Sequence, residues 1–260
     1  MKKIFVIGVS ILAGFLFLLS VPQAATAFEA GARAYIWFPT FSGDLKIDGA
    51  TVPGTKISGG DDLGLGHETY PAAEIFGGIG KHHLSLGYMS MEHSGISTLS
   101  RNITFNGTTF ASGVALNTDL KFKMLDLEYQ YDLVDLENIL AGFSLGLIGK
   151  IKYLCGEAEL RAPALSLTAS ETLKVPIPMI GVGLHVGILA NLLEARAKLT
   201  GAGYDGDNLI YEAEADLSLT PFPFMNIHGG YKIINIQVDR NSVFIDSEFS
   251  GPYVALTIAF

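Results

Sequence analysis

The stretch "GPYVALTIAF" (Gly251–Phe260) decides the fold. Val254, Leu256 and Ile258 are large and apolar, Ala255, Thr257 and Ala259 between them are small or polar, and the run closes on the bare aromatic Phe260. Successive side chains of a strand point to opposite faces, so this segment is a strand with one greasy face.

The same period-2 alternation extends back through the chain. Turn signals divide it into segments at 28–47, 69–79, 82–104, 109–132, 139–161, 165–187, 191–203, 209–220, 225–239 and 243–260. An even number of strands returns both termini to one side, which suits an all-β, closed antiparallel barrel of about ten strands, with eight or twelve as alternatives. Four connections, "GKH" at 80–82, "DLVDLEN" at 132–138, "ILANL" at 188–192 and "PFPF" at 221–224, form one set of turns, expected on the periplasmic side. The other set contains the long Gly-rich segment 48–68, "FNGTTF" at 105–110 and "GYDGDN" at 203–208, expected outside the cell. Asp48-Gly49 and Asn106-Gly107 read as type I′ hairpin turns.

The start of the chain has a different character. Residues 1–27, "MKKIFVIGVSILAGFLFLLSVPQAATA", carry a basic start, an apolar run and a small-residue site at Ala25-Thr26-Ala27, the layout of a cleaved signal peptide. Its removal would leave 28–260 as one barrel domain and, with loss of two lysines, take the formal charge from −9 to −11. So acidic a product lacks the clustered cations that nucleic acid requires. The single cysteine, Cys155, cannot form an internal disulfide. No later segment offers about 18 consecutive apolar residues, yet 49% of the chain is hydrophobic and only 17% charged. A closed barrel in the outer membrane of a Gram-negative bacterium reconciles these facts, because it satisfies every backbone group inside lipid.

Two faces then separate. One parity, including Leu125, Leu127, Leu145, Leu147, Ile151, Val182, Leu184, Leu199, Leu217 and Leu219, carries no charge and is expected to meet lipid. The other parity carries Arg33, Glu74, Asp126, Glu128, Lys150, Lys152, Glu194, Arg196, Lys198, Glu212, Glu214 and Asp216. A ten-strand tube is narrow, so these side chains are expected to plug it by pairing acid with base, with the row 194–198 facing the row 212–216.

Towards the outside the pattern reverses. The inward parity there holds Trp37, Phe41, Met89, Met91, Leu120, Phe122, Met124, Leu165, Leu173, Val175, Met179, Ile234 and Phe249, while Lys121, Lys123, Asp246 and Glu248 face outward. Side chains cannot change sides of a strand, so the solvent outside the wall must change from lipid to water. The upper barrel should enclose an apolar interior. Packing shut is the commoner fate of such a row, and a pocket for a small hydrophobic ligand is the functional alternative.

Chemistry-bearing motifs are sparse. Asp61, Asp62, His67 and Glu68 lie in a loop that lacks the fixed geometry acid–base work needs. His93 and Ser94 are adjacent in a strand and point to opposite faces, so they cannot act as a pair. His82, His83 and His185 sit apart from Cys or paired carboxylates at ligand spacing, and no metal or other cofactor is expected. Lys46, Lys121, Lys123, Arg161 and Lys174 fall just above the apolar band, where they could meet the phosphates of lipopolysaccharide.

The end "SGPYVALTIAF", the stretch "DGATVPGTKISGGDDLGL" at 48–65 and the signal-like start together resemble the small outer-membrane β-barrel proteins of the OmpA, OmpX and OmpW type, within a group that has no assigned activity. The resemblance implies outer-membrane lipids and lipopolysaccharide as surroundings, and the outer-membrane assembly machinery as a partner for the strand ending at Phe260. It supplies no catalytic residues. A structural or surface-interaction role leads, binding or transport of a hydrophobic compound follows, and a rim enzyme acting on lipid or peptide comes third.

Overall fold

A computed structural model describes residues 28–60, 62–63, 68–136, 142–189, 192–205, 208–240 and 243–260. The expected signal segment 1–27 lies outside the described residues. Ten antiparallel strands form the wall: β1 in two pieces (Phe28–Trp37 and Thr40–Ile47), β2 (Tyr70–Ile79), β3 (His82–Thr98), β4 (Ala115–Asp135), β5 (Phe143–Ala162), β6 (Leu167–Leu189), β7 (Leu193–Asp205), β8 (Asn208–Phe222), β9 (Met225–Arg240) and β10 (Val243–Ala259). Each strand pairs with the next, and β1 pairs with both β2 and β10, closing the barrel.

The expected unbroken first segment is interrupted at Phe38-Pro39. Proline lacks the N–H that a ladder needs, and opposite it stands Gly251, where an added Cβ would lie 2.2 Å from the Phe38 carbonyl oxygen. The chain resumes in the same parity, so Trp37 and Phe41 both face inward.

The two-solvent pattern holds. Leu86, Leu125, Leu127, Leu147, Ile151, Leu199, Leu217 and Leu256 are exposed on the outer wall. Tyr88, Tyr153 and Tyr231 are exposed at one margin of this band and Tyr131, Phe224 and Phe260 at the other, the aromatic girdles of a membrane barrel. Leu127→Arg, in the middle of the band, is expected to destabilise the barrel in bilayers by about 2–4 kcal/mol, read from urea unfolding in liposomes. An unchanged midpoint would remove the lipid face from this position.

The end away from the termini differs from expectation. The segments 82–104 and 109–132 do not meet in one long hairpin: β3 stops at Thr98, β4 starts at Ala115, and Ile103–Phe105 pairs with Thr108–Phe110 as a separate small sheet. Its turn has φ 47° at Asn106 and 78° at Gly107, as the expected type I′ turn requires. Period 2 continues through this hairpin, which is why it reads as strand, but Ile103, Phe105 and Phe110 bury themselves against Leu116, Leu160 and Ala169 to form a lid over the barrel mouth. Asp48-Gly49 is not a hairpin turn. The Asp48 carboxylate accepts the Gly54 N–H (2.6 Å), and the chain returns through a short piece, Ile57–Ser58, that pairs with Asp44 and Leu45. Leu165, expected inward, is exposed in a 3-10 turn at Pro163–Leu165.

Candidate functional site

Four layers stack along the barrel axis. At the end carrying the termini a cavity of about 560 Å³ is lined by Glu29, His83, Asp132, His185, Glu194 and Arg196 among others. His83 and His185 are not isolated: His83 lies 2.9 Å from Asp132 and His185 3.3 Å from Glu194. No cluster of three or more His, Cys, Asp or Glu able to hold a metal occurs among the described residues.

Above this cavity the charged row reaches across the lumen. Lys152 contacts Asp126 (2.6 Å) and Glu212 (2.9 Å), and Lys150 contacts Asp126 (2.9 Å) and the same Glu212. Arg33 binds Glu214 (2.7 Å), Lys198 binds Glu128 (2.5 Å), Lys232 lies 3.6 Å from Glu214, and Arg196 binds Asp216 (3.2 Å). Glu74 and Arg33 line a residual void of only about 50 Å³. The expected pairing across the β7–β8 hairpin needs correction. Register puts Lys198 opposite Glu214 and Arg196 opposite Asp216, but only the second pair bonds directly. Lys198 crosses the lumen to Glu128 on β4, and Glu212 crosses to the β5 lysines. In a narrow tube the opposite wall is within reach of a long side chain, and a partner there fills the bore as well as neutralising charge.

The third layer is aromatic. Tyr253 lies 2.8 Å from Glu214, Asp216 and Arg33 through its hydroxyl, and the Arg33 guanidinium sits over the Tyr35 and Tyr253 rings at 5.4 and 5.3 Å. Sequence reasoning missed this deck, although both tyrosines stand on the inward parity that was already assigned. Their amphipathic rings join the ion pairs to the apolar layer above.

That fourth layer gathers most of the apolar residues expected inside, but not the exposed Leu165 and Leu173 or Leu120, which is buried outside this cluster. Trp37, Met89, Met91, Met124, Met179, Ile234 and Phe249 are buried in one cluster, with Phe41 and Phe122 packed against it. Trp37 Nε1 donates to the Gly251 carbonyl (3.0 Å), and Phe41 and Phe249 rings lie 4.8 Å apart. His93 faces this interior beside the Tyr70 hydroxyl (2.8 Å to Nε2), whereas Ser94 faces out and donates to Asp119 (2.9 Å). The two residues are thus separated by the wall, as alternation demands.

At the rim, Asp61 and His67 lie outside the described residues. Asp62 is tied down: its carboxylate accepts from Arg101 (2.6 Å) and from the Ser58 N–H (2.9 Å), while its carbonyl accepts from Ser97. Burial acts upward on the Asp62 pKa and is the largest single influence, but the Arg101 and Ser58 hydrogen bonds together hold it below the usual carboxylate value of 3.8. A depressed folded pKa means that the contribution to stability is present above that usual value and is lost as pH falls through the folded one. Residues 57–60, 62 and 63 should therefore stay protected from amide exchange at pH 5 and open only well below pH 3.8. Arg101→Ala should open it at pH 7, and equal protection in that variant would exclude the anchor.

No family model matches the chain, and no curated protein matches it. Among solved structures it is similar to the outer membrane protease OmpT from Escherichia coli, at 11% identity and TM-score 0.55, covering 88% of this chain and 97% of that one. The fold is that of an outer-membrane β-barrel. Other matches are the attachment invasion locus protein Ail of Yersinia pestis (10% identity, TM-score 0.36, 89% of this chain and 99% of that one) and the toluene transporter TodX of Pseudomonas putida (8%, 0.31, 93% and 91%). At these values the first likeness establishes the fold alone, and the other two carry no argument.

Proposed function

We propose that this chain is a non-conducting outer-membrane protein of a Gram-negative bacterium with a structural or surface-interaction role, exported with loss of residues 1–27. The observation that carries the reading is the pairing of Lys150 and Lys152 with Glu212 across the lumen, beneath the apolar cluster around Trp37 and the second cluster that contains the lid. Neither a water path nor an aligned catalytic group is among these features. In planar bilayers the folded barrel should give no steady conductance, and persistent open-channel steps from heat-modifiable protein would overturn the reading.

On the outer wall, candidate lipopolysaccharide contacts reduce to two. Lys46 is held by Asp48 (3.2 Å), Arg161 is paired with Asp119 and Glu159, and Lys121 stands in register between Glu92 and Glu157. Lys123 and Lys174 flank Cys155 in one outward row just above Leu125 and Tyr153. They are our assignment for phosphate contact. The terminal strand ending at Phe260 is the segment assigned to the assembly machinery, and its aromatic ring is exposed at the barrel end.

A second reading, binding of a small hydrophobic compound in the upper interior, is favoured by one observation: Leu173 stands on the inward parity of β6 yet is 40% exposed.

A further inference from the structure

A closed barrel has no free strand edge unless neighbouring strands differ in height. Among the described residues this occurs above two short elements. Above β2, the taller β1 and β3 leave a gap, and the chain fills it with Ile57 and Leu63, 0% and 1% exposed. The second gap lies above the β7–β8 hairpin. There β6 is paired with β5 from Leu167 to Val186, but with β7 only from Ile180 towards the termini. On the far side, Val238 to Arg240 of β9 pair with β10 alone.

The sequence "KVPIPM" at 174–179 explains how this edge is tolerated. A proline nitrogen cannot face a ladder partner, and prolines in sheets are confined to edges. The β5–β6 register runs unbroken through Pro176 and Pro178, opposite Tyr153 and Ile151. Both nitrogens therefore face the unpaired side. Ser170, on the same parity, points its carbonyl the same way and accepts Asn106 Nδ2 of the lid (3.0 Å). Two missing donors make the edge a poor template for another strand, so the gap is kept open and not offered for β-pairing.

Behind this edge stand Leu173 and Val175. Inward residues at neighbouring levels, Met91, Met124 and Ile177, are 0–5% exposed, while Leu173 is 40% exposed. The lid lies above and the ion-pair plug below, so Leu173 is reached from the side. We propose that the gap between the Lys174–Pro178 edge and the β7–β8 hairpin is a side opening into a dead-end apolar recess that binds one small neutral hydrophobic molecule.

This inference rests on the second reading above and adds the site, its access and the ligand's charge. Above the hairpin, where β7 and β8 have both ended, β6 and β9 stand three strand spacings apart, about 14 Å between backbone axes, which after the backbones' own width suits one alkyl chain or ring system. The opening begins at the level of Tyr153, so the ligand arrives at the outer margin of the apolar band. Glu171, on the inward parity at the rim, disfavours an anionic ligand, and a charge of either sign is costly to bury in the apolar lining behind it.

The test is a fluorescence titration of the purified barrel in amphipol with 1-aminoanthracene, competed by 1-dodecanol or dodecanoate. Saturable binding of one probe per barrel is expected, with 1-dodecanol competing at least tenfold better than dodecanoate. Leu173→Arg should weaken binding at least tenfold, whereas Thr172→Arg, facing outward on the same strand, should leave it unchanged; heat-modifiability verifies folding of both. Absence of saturable binding would remove the recess and the hydrophobic-ligand reading together. Binding that is equal in Leu173→Arg would keep that reading and remove the recess. Equal competition by dodecanoate would overturn the assignment of a neutral ligand.

Discussion

Glu212→Ala is expected to lower the stability of the barrel by about 3–5 kcal/mol, because it strands two buried lysines without their shared carboxylate. The Lys150, Lys152 and Glu212 side chains are 7%, 2% and 6% exposed, so water cannot take over as partner. Asp126 would remain beside both lysines, 2.9 Å from Lys150 and 2.6 Å from Lys152, leaving one carboxylate for two cations. A buried pair as such is weak support for stability, since desolvation offsets much of its attraction, but removing one member leaves the desolvation unanswered. Replacing all three by apolar residues of similar volume, Lys150→Met, Lys152→Met and Glu212→Leu, should therefore recover most of the loss. Urea midpoints of the refolded single and triple variants provide the comparison. A single variant within 1 kcal/mol of wild type would mean that the lumen is wet at this level, and the closed reading would go with it.

The second large effect belongs to the apolar layer. Trp37 is fully buried between Tyr70 and the β10 backbone, with its indole N–H on the Gly251 carbonyl. Trp37→Ala should cost about 3–5 kcal/mol through the cavity it leaves. The orphaned carbonyl at the β1 break adds about 1–3 kcal/mol. Trp37→Phe keeps much of the volume and loses only the hydrogen bond, so its cost should be clearly smaller. If both variants unfolded with the wild-type midpoint, the interior around Trp37 would be an unpacked chamber. The Leu173 recess makes the contrasting case: Leu173→Ala should cost well under the 2–5 kcal/mol of a buried leucine, since its side chain is 40% exposed already.

Much of this architecture was legible along the chain because a strand has the simplest periodicity in proteins. Alternation assigned Leu127, Leu199 and Leu217 to the outer wall and Lys150, Glu212 and Trp37 to the inside before any pairing was known. The reversal of pattern in β4 and β9 likewise marked where lipid gives way to water. Partners within the lumen were less legible. Hairpin neighbours follow from the turns, but Lys198–Glu128 and Lys150–Glu212 link strands that only closure of the tube brings face to face. The lid was misread because Ile103, Phe105 and Phe110 alternate as well in a separate hairpin as in an extension of the wall.

Periodicity and composition alone determined that this is an all-β, strand-walled tube with a charged lower bore and an apolar upper one, because those signals depend only on which side of a strand each residue occupies. The tertiary structure decided which charges meet, that the hairpin 103–110 folds inward over the mouth, and that β6 keeps a free edge at Pro176 and Pro178. Those features depend on strand heights and on distances across the lumen, which come into existence only when β1 pairs with β10.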